Sequence, residues 1–573
     1  MNSLILKVSF ILATFPLMVF GQNGNYTTLP LTDLTAFEGG GKQWTIQGDV
    51  AIHPTDPGKP RIKQGTGILI GTPGNVLTSK VKAKDLRLFT EFMVSPGAEG
   101  NIILPGGQKV RLSDSYRQSL TNSLTCGYAG QFPTQNAAKA PGLWQTIELS
   151  YDASVSKLPN SARLNSLILN GVTVLETVYL PLTKPAGQPE PILLEVTKGT
   201  IAFKNIGYQQ LAVGNPLHLS NLTYKVFGDK WDSKQYTQLA HEGKSDGLTQ
   251  EVTKGLREFH LVYEGNIEAK EGGEYIFTSI YSGPAMSLDI DGKSVLNPGE
   301  SISQQTHSAA ITLTPGTHKL KLYYARYPWR QPALGLRAEK SGVRPYDLHL
   351  LSSLPEPEPK PYISVTPEAG PEMVRSFVLL EGEKYKRTHC ISVGSPSGWN
   401  YTMDLNRGAL LQAWRGKFAN VTDMWYERGE PQLLFPAGLT VPVSGRSSIA
   451  ILENEKSAWP DSSNVHFLGY KIDSQGFPGF RYAIGSTVVT DHLVADNSGI
   501  TRRFLVDSPV TGSLYSVMAD GKKIRKIEDG LYQVDDRYYV RVDKKAKVVL
   551  RQMGDMAELL LPIGGPTSYN MFW

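Results

Sequence analysis

Between Gly107 and Tyr116 the chain places Lys109, Arg111, Asp114 and Tyr116 in one short stretch. A carboxylate there can accept a proton, and a neighbouring cation can stabilise an anion that develops during reaction. Downstream, Cys126-Gly-Tyr-Ala-Gly-Gln131 adds Tyr128 and Gln131 as hydrogen-bonding groups, and Glu195 adds a second carboxylate. In the last third, Trp399, Trp414 and Trp425 fall among Asp404, Arg415, Asp423 and Arg428. Aromatic faces stack on sugar rings, and carboxylate and guanidinium groups fork to hydroxyls. The same residue types also build a Trp-rich core with buried Arg/Asp pairs, so both readings stand. His53 is far from Lys109 and Asp114 in sequence, and His389, His466 and His492 lack metal-ligand spacing. Cys126 and Cys390 sit in neither CxxC nor CxxCH, which argues against a zinc ribbon or covalent haem. They are expected to be unpaired, buried small hydrophobes. No cofactor is expected. A divalent metal on Asp and Glu ligands stays open, because such ligands need no fixed spacing.

These residues need strands to position them. Thr200-Ile-Ala-Phe-Lys-Asn-Ile206 and His318-Lys-Leu-Lys-Leu-Tyr-Tyr324 alternate apolar and polar residues, the period of a half-buried strand. Asn170-Gly171 and Asp291-Gly292 lie between such runs as hairpin turns. With 56 Gly and 37 Pro in 573 residues and no long amphipathic helix, the expected class is all-β, built as three sandwich-type modules. A chain of this length is too large for one core. Lys7 followed by apolar Val8 to Phe20 reads as a secretory signal over residues 1–21. No later run is long enough to span a membrane. The Pro/Glu-rich run Leu354-Pro-Glu-Pro-Glu-Pro-Lys-Pro361 reads as a stiff spacer. The expected modules are therefore 22–212, 213–352 and 362–573, with a linker at 353–361. A net charge of +5 is modest for this size and argues against nucleic-acid binding.

Read in order, Gly107 to Tyr116, Cys126 to Gln131, Asn136 to Thr146, Leu169-Asn-Gly171 and Ile201 to Ile206 resemble the 3-keto-disaccharide hydrolase domain family, a group of lectin-like β-sandwiches. The resemblance implies a sugar already oxidised at carbon 3. A base removes the C2 proton, the glycosidic oxygen leaves by elimination, and water adds back. It implies Asp114 and Glu195 as carboxylates, Lys109 and Arg111 as enolate stabilisers, and Tyr116, Tyr128 and Gln131 as binding residues. Asp114 can equally cap a turn. The sequence departs from the family at several positions: Lys109 stands where a carboxylate is usual, Thr197 where a histidine is usual, Val196 where an aspartate is usual and Glu195 where a glutamine is usual.

Residues 258 to 338 resemble the PA14 family through Tyr263-Glu-Gly265, Gly273-Glu-Tyr-Ile-Phe277 and Leu288-Asp-Ile-Asp-Gly292, but Tyr281-Ser-Gly-Pro284 stands where calcium-binding members carry aspartates. Residues 374 to 508 are similar to an uncharacterised β-rich domain that accompanies secreted cytochromes and dehydrogenases. This implies association with other secreted sugar-processing enzymes. The expectation is a periplasmic or extracellular carbohydrate-active protein, not a lipoprotein. It either cleaves 3-keto glycosides or binds glycans without catalysis.

Overall fold

The computed structural model describes residues 26–573 apart from 59, 129, 154–160, 182–188, 212–214, 300, 356–360, 428–431, 461–464 and 509–511. The expected signal at 1–21 and most of the Pro/Glu spacer lie outside the described residues. The chain is nearly all β, 60% strand and 3% helix. No helix among the described residues is long and apolar enough to cross a membrane.

Residues 27–210 form an eight-stranded and a five-stranded antiparallel sheet. In the smaller sheet the strand order is Phe37–Gly39, Leu77–Ala83, Glu190–Lys198, Glu99–Leu104, Gln108–Ser113. One side of each strand faces the core. Ile102, Leu104, Val110, Leu112, Leu194 and Val196 are buried with Leu88, Phe92, Leu149 and Phe203 of the larger sheet. Burying such side chains contributes about 1.5–3 kcal/mol each and fixes the register, because a one-residue slip would turn every core residue outward. Gly100 is held to glycine by contact: a Cβ there would lie 2.3 Å from the carbonyl oxygen of Glu195.

Residues 217–347 form a six-stranded and a four-stranded sheet around a core of their own. The strand Gly316–Arg326 alternates as its sequence implies, with Leu320 and Leu322 buried and Lys319 and Lys321 exposed. Both hairpin turns are present: φ is 52° at Asn170 and 79° at Gly171, and 51° at Asp291 and 73° at Gly292. Two successive left-handed residues are what a two-residue turn between twisted strands requires. Ser353, expected at the head of the spacer, is instead docked, its hydroxyl donating to Leu334 O at 2.6 Å.

The C-terminal region adds sheets of six, four and eight strands. Many of its buried apolar residues, Trp399, Tyr401, Phe480 and Tyr539 among them, form one continuous cluster with the main core of the N-terminal sandwich. The loop after Ser113 makes the junction. Tyr539 Oη donates to Pro141 O (3.0 Å), Gln533 Nε2 to Gly142 O (2.8 Å) and Gln135 Nε2 to Ala437 O (3.1 Å). The middle sandwich is tied on by Arg344, which forks onto Asp152 at 3.0 and 2.6 Å and reaches Asp85 at 3.0 Å. Cys126 and Cys390 are both free and buried.

Candidate functional site

The solvent side of the five-stranded sheet carries a polar constellation. Glu195 pairs in register with Asn101, which pairs in turn with Arg111. Lys109 lies one row further along, opposite Ile103. Period-two alternation puts Glu99, Asn101, Lys109, Arg111 and Glu195 on one face, opposite the core side chains between them. Asn101 Nδ2 donates to Glu195 Oε2 at 2.7 Å, and Lys109 Nζ donates to the same oxygen at 3.0 Å. Arg111 Nη2 donates to Glu99 Oε2 at 2.8 Å. Val196 is buried while Thr197 is exposed, so Thr197 emerges on the Glu195 side, with its hydroxyl donating to Glu99 O at 3.1 Å.

The electrostatics favour an ionised Glu195. Partial burial alone would raise its pKa, but the hydrogen bonds from Lys109 and Asn101 and the Lys109 charge outweigh it, leaving the group below its usual value. Such a carboxylate accepts hydrogen bonds or a proton and cannot donate one near neutrality. Within the pair Lys109 is the hydrogen-bond donor and Glu195 the acceptor.

Asp114 stands apart. Its Oδ2 accepts the N–H of Gly97 at 2.9 Å, the turn-capping role open to any aspartate. It lies two strands across from Glu195 and three residues beyond Arg111. That places the two Cα atoms roughly 14 Å apart, given a strand spacing near 4.8 Å and a rise near 3.4 Å. Asp114 thus serves as a turn cap, and its hydrogen bond to Gly97 is separate from those that join Lys109, Glu195 and Asn101.

The aromatic candidates disperse. Tyr128 is 1% exposed and packs in the core beside Val110. Gln131 is exposed and closes a backbone turn with Tyr128. Tyr116 is half-buried between two guanidiniums, Arg117 at 4.8 Å and Arg415 at 5.2 Å. Trp399 and Trp414 are buried, with Trp399 edge-on to Trp573 at 4.6 Å and Trp414 donating its indole N–H to Phe418 O at 2.7 Å. Neither offers a ring face to a ligand, because apolar burial claimed both. Arg415 is buried as well, reaching across the junction to Ala138 O. Of the three tryptophans only Trp425, 54% exposed at the end of a single helical turn, can meet a sugar, and Arg428 lies outside the described residues.

His53 also lies elsewhere. Its Nδ1 accepts N–H groups of Thr55 (3.3 Å) and Asp56 (3.1 Å), so the neutral ring carries its proton on Nε2, 3.7 Å from Glu528. No group of three or more His, Cys, Asp or Glu among the described residues is placed to hold a metal. Sequence reasoning missed Glu99 and Asn101. The signal was present in Glu99-Gly-Asn-Ile-Ile-Leu104, where polar residues fall two apart beside inward-facing Ile102 and Leu104.

Comparison with known proteins gives this face a context. Residues 31–208 match the 3-keto-alpha-glucoside-1,2-lyase-like domain. The match supports a carbohydrate-active protein. Lys109 and Thr197, two of the positions that depart from the family motifs, lie on the same sheet face as Glu195, while Val196, a third, is buried on the core side. A solved candidate glycosyl hydrolase from Parabacteroides distasonis is 16% identical, aligned over 32% of this chain and 100% of its own, with a TM-score of 0.24. A second from the same organism is 12% identical over 30% and 89%, with a TM-score of 0.21. The β-glucosidase of Kluyveromyces marxianus in complex with glucose is 16% identical over 21% and 16%, with a TM-score of 0.17. Similarity at this level says nothing about activity. No curated protein matches the chain.

Proposed function

We propose that this is a secreted carbohydrate-active protein whose N-terminal sandwich takes a 3-keto glycoside on the outward face of the five-stranded sheet and cleaves it by elimination and hydration. The observation that carries the reading is the Lys109–Glu195–Asn101 cluster, an ionised carboxylate bonded directly to an ammonium group within the segment that matches the lyase-like family. In this scheme Glu195 accepts the C2 proton that the C3 ketone acidifies. Lys109 and Arg111 stabilise the resulting enolate. The C1–O bond then breaks, and the Lys109 ammonium supplies the proton to the departing oxygen. Water adds at C1 and C2 is reprotonated, so the net change is hydrolysis. Both protein hydrogen bonds fall on Oε2 of Glu195, leaving Oε1 for the substrate.

One observation favours a second reading, a glycan-binding protein without catalysis. A carboxylate held below its usual pKa is a weak base, and at position 197 a threonine stands where the family usually has a histidine. The test is release of the aglycone from a 3-keto-glucoside by the purified protein. Glu195→Gln and Lys109→Met are each expected to slow release by about 10² or more if they act as base and acid. No release, with glycan binding retained, establishes the second reading. Release that both variants leave unchanged would remove the site from this face.

A further inference from the structure

The C-terminal tryptophans are mostly buried, but the middle sandwich exposes one. Trp329 lies in the loop Tyr327-Pro-Trp-Arg-Gln-Pro332, which follows the strand Gly316–Arg326, and is 60% exposed. Its ring is held in place. It stacks on Tyr327, itself 3% exposed, with centroids 4.9 Å apart and planes 21° apart. Trp231 meets it edge-on at 5.4 Å and 82°, and Trp231 meets Tyr327 at 5.0 Å and 62°.

The backbone beneath the rings is fastened too. Arg326 donates Nε to Arg330 O (3.1 Å) and Nη1 to Leu256 O (2.7 Å). Glu258 Oε2 accepts the N–H of Trp231 at 3.2 Å, and His260 Nε2 donates to Lys230 O at 2.8 Å. Arg330 and Gln331 beside the indole are exposed.

A large aromatic held rigid and left in water has lost its side-chain freedom in advance and gains most from being covered. The open indole surface is about 150 Å² from its size and exposure, far short of the roughly 800 Å² that each partner of a stable protein interface buries. It does match one pyranose ring, whose C–H groups lie on the indole while its hydroxyls reach Arg330 and Gln331. We propose that the Trp231–Tyr327–Trp329 cluster is a glycan-binding site, with Trp329 the stacking platform, separate from the Glu195 face. It would anchor a pyranose chain by binding alone. It extends the sugar reading of the N-terminal sandwich without depending on catalysis there.

The full-length protein is probed on an array of neutral and acidic pyranose glycans, and the affinity for the best binder is measured by titration. Trp329→Ala is expected to weaken that affinity by about tenfold or more, the equivalent of about 1.4 kcal/mol. Trp329→Tyr is expected to retain most of it and to unfold near wild type, whereas Trp329→Ala, which gives up the ring contacts with Tyr327 and Trp231, should lower the unfolding temperature slightly. Glu195→Gln should leave this affinity unchanged while affecting aglycone release, so the two sites fail separately. The proposal is overturned if no array glycan binds, if Trp329→Ala binds as wild type does, or if Glu195→Gln abolishes binding. A Trp329→Ala change confined to self-association in sedimentation would overturn it as well.

Discussion

Arg415 offers the sharpest contrast between what its neighbourhood in sequence suggests and what the fold does with it. It was a candidate sugar ligand beside Trp399 and Trp414, yet it is buried across the junction of the N-terminal sandwich and the C-terminal region. There Nη2 donates to Ala138 O, and the guanidinium lies 5.2 Å from the Tyr116 ring centroid and 5.7 Å from that of Trp399. Truncation to alanine removes a charged hydrogen bond worth about 1.5–3 kcal/mol. It also removes two ring contacts worth together about 1–2 kcal/mol. Release of a desolvated charge returns several kcal/mol, so these terms nearly cancel. The remainder is the hole left behind and the bare Ala138 carbonyl, for a net loss of about 2–3 kcal/mol. Arg415→Met fills much of the hole and should fall within about 1 kcal/mol of wild type. Calorimetry and denaturant titration should therefore rank wild type and Met close together and Ala well below.

Burial pushes the Arg415 guanidinium below its ordinary value, with Tyr116 opposing and Arg117 adding to the shift, but a guanidinium keeps its charge near neutrality, so this ranking should hold from about pH 6 to about pH 8. The reasoning is refuted if Arg415→Ala unfolds like wild type and loses glycan binding, because Arg415 would then be a ligand.

Asp491 and Arg502 form a bidentate pair at 2.8 and 2.5 Å, 0% and 1% exposed. Asp491→Asn should cost about 3–5 kcal/mol in denaturant titration, and Asp491→Leu with Arg502→Met should recover most of it. The stability that Glu195 draws from Lys109 and Asn101 should be full above the ordinary carboxylate range and lost only as pH falls through its lowered folded pKa. Measured as the difference between wild type and Glu195→Gln against pH, a loss centred near neutrality would contradict it. Burial pushes the Cys390 thiol up to about 12 and the Cys126 thiol further, so neither should react with a thiol reagent until the chain unfolds.

Much of the fold was legible because strand periodicity and turn chemistry are local. The alternation from His318 to Leu322 and the left-handed pairs at Asn170-Gly171 and Asp291-Gly292 follow from side-chain parity and from which residues tolerate positive φ. The site was legible in part. Lys109, Arg111 and Glu195 do share a face, while Asp114, close to them in sequence, turns away to cap Gly97. Trp399 and Trp414 are buried while Trp425 is exposed, because a tryptophan's type does not say which side of a sheet it faces. Trp329, which no motif drew attention to, is displayed by a proline-bounded loop whose exposure depends on Tyr327 and Trp231 beneath it.

Residue type and short spacing were enough to specify the strand-rich class, the turns, the unpaired cysteines and a first segment whose motifs around Lys109 and Glu195 contain no histidine. Long-range packing was needed to bring Lys109 to Glu195, 86 residues away, and to join the N-terminal and C-terminal cores. It also decided that Arg415 secures the junction instead of facing a ligand. Those outcomes depend on which sheet edges pair and which faces pack, and long-range burial sets both.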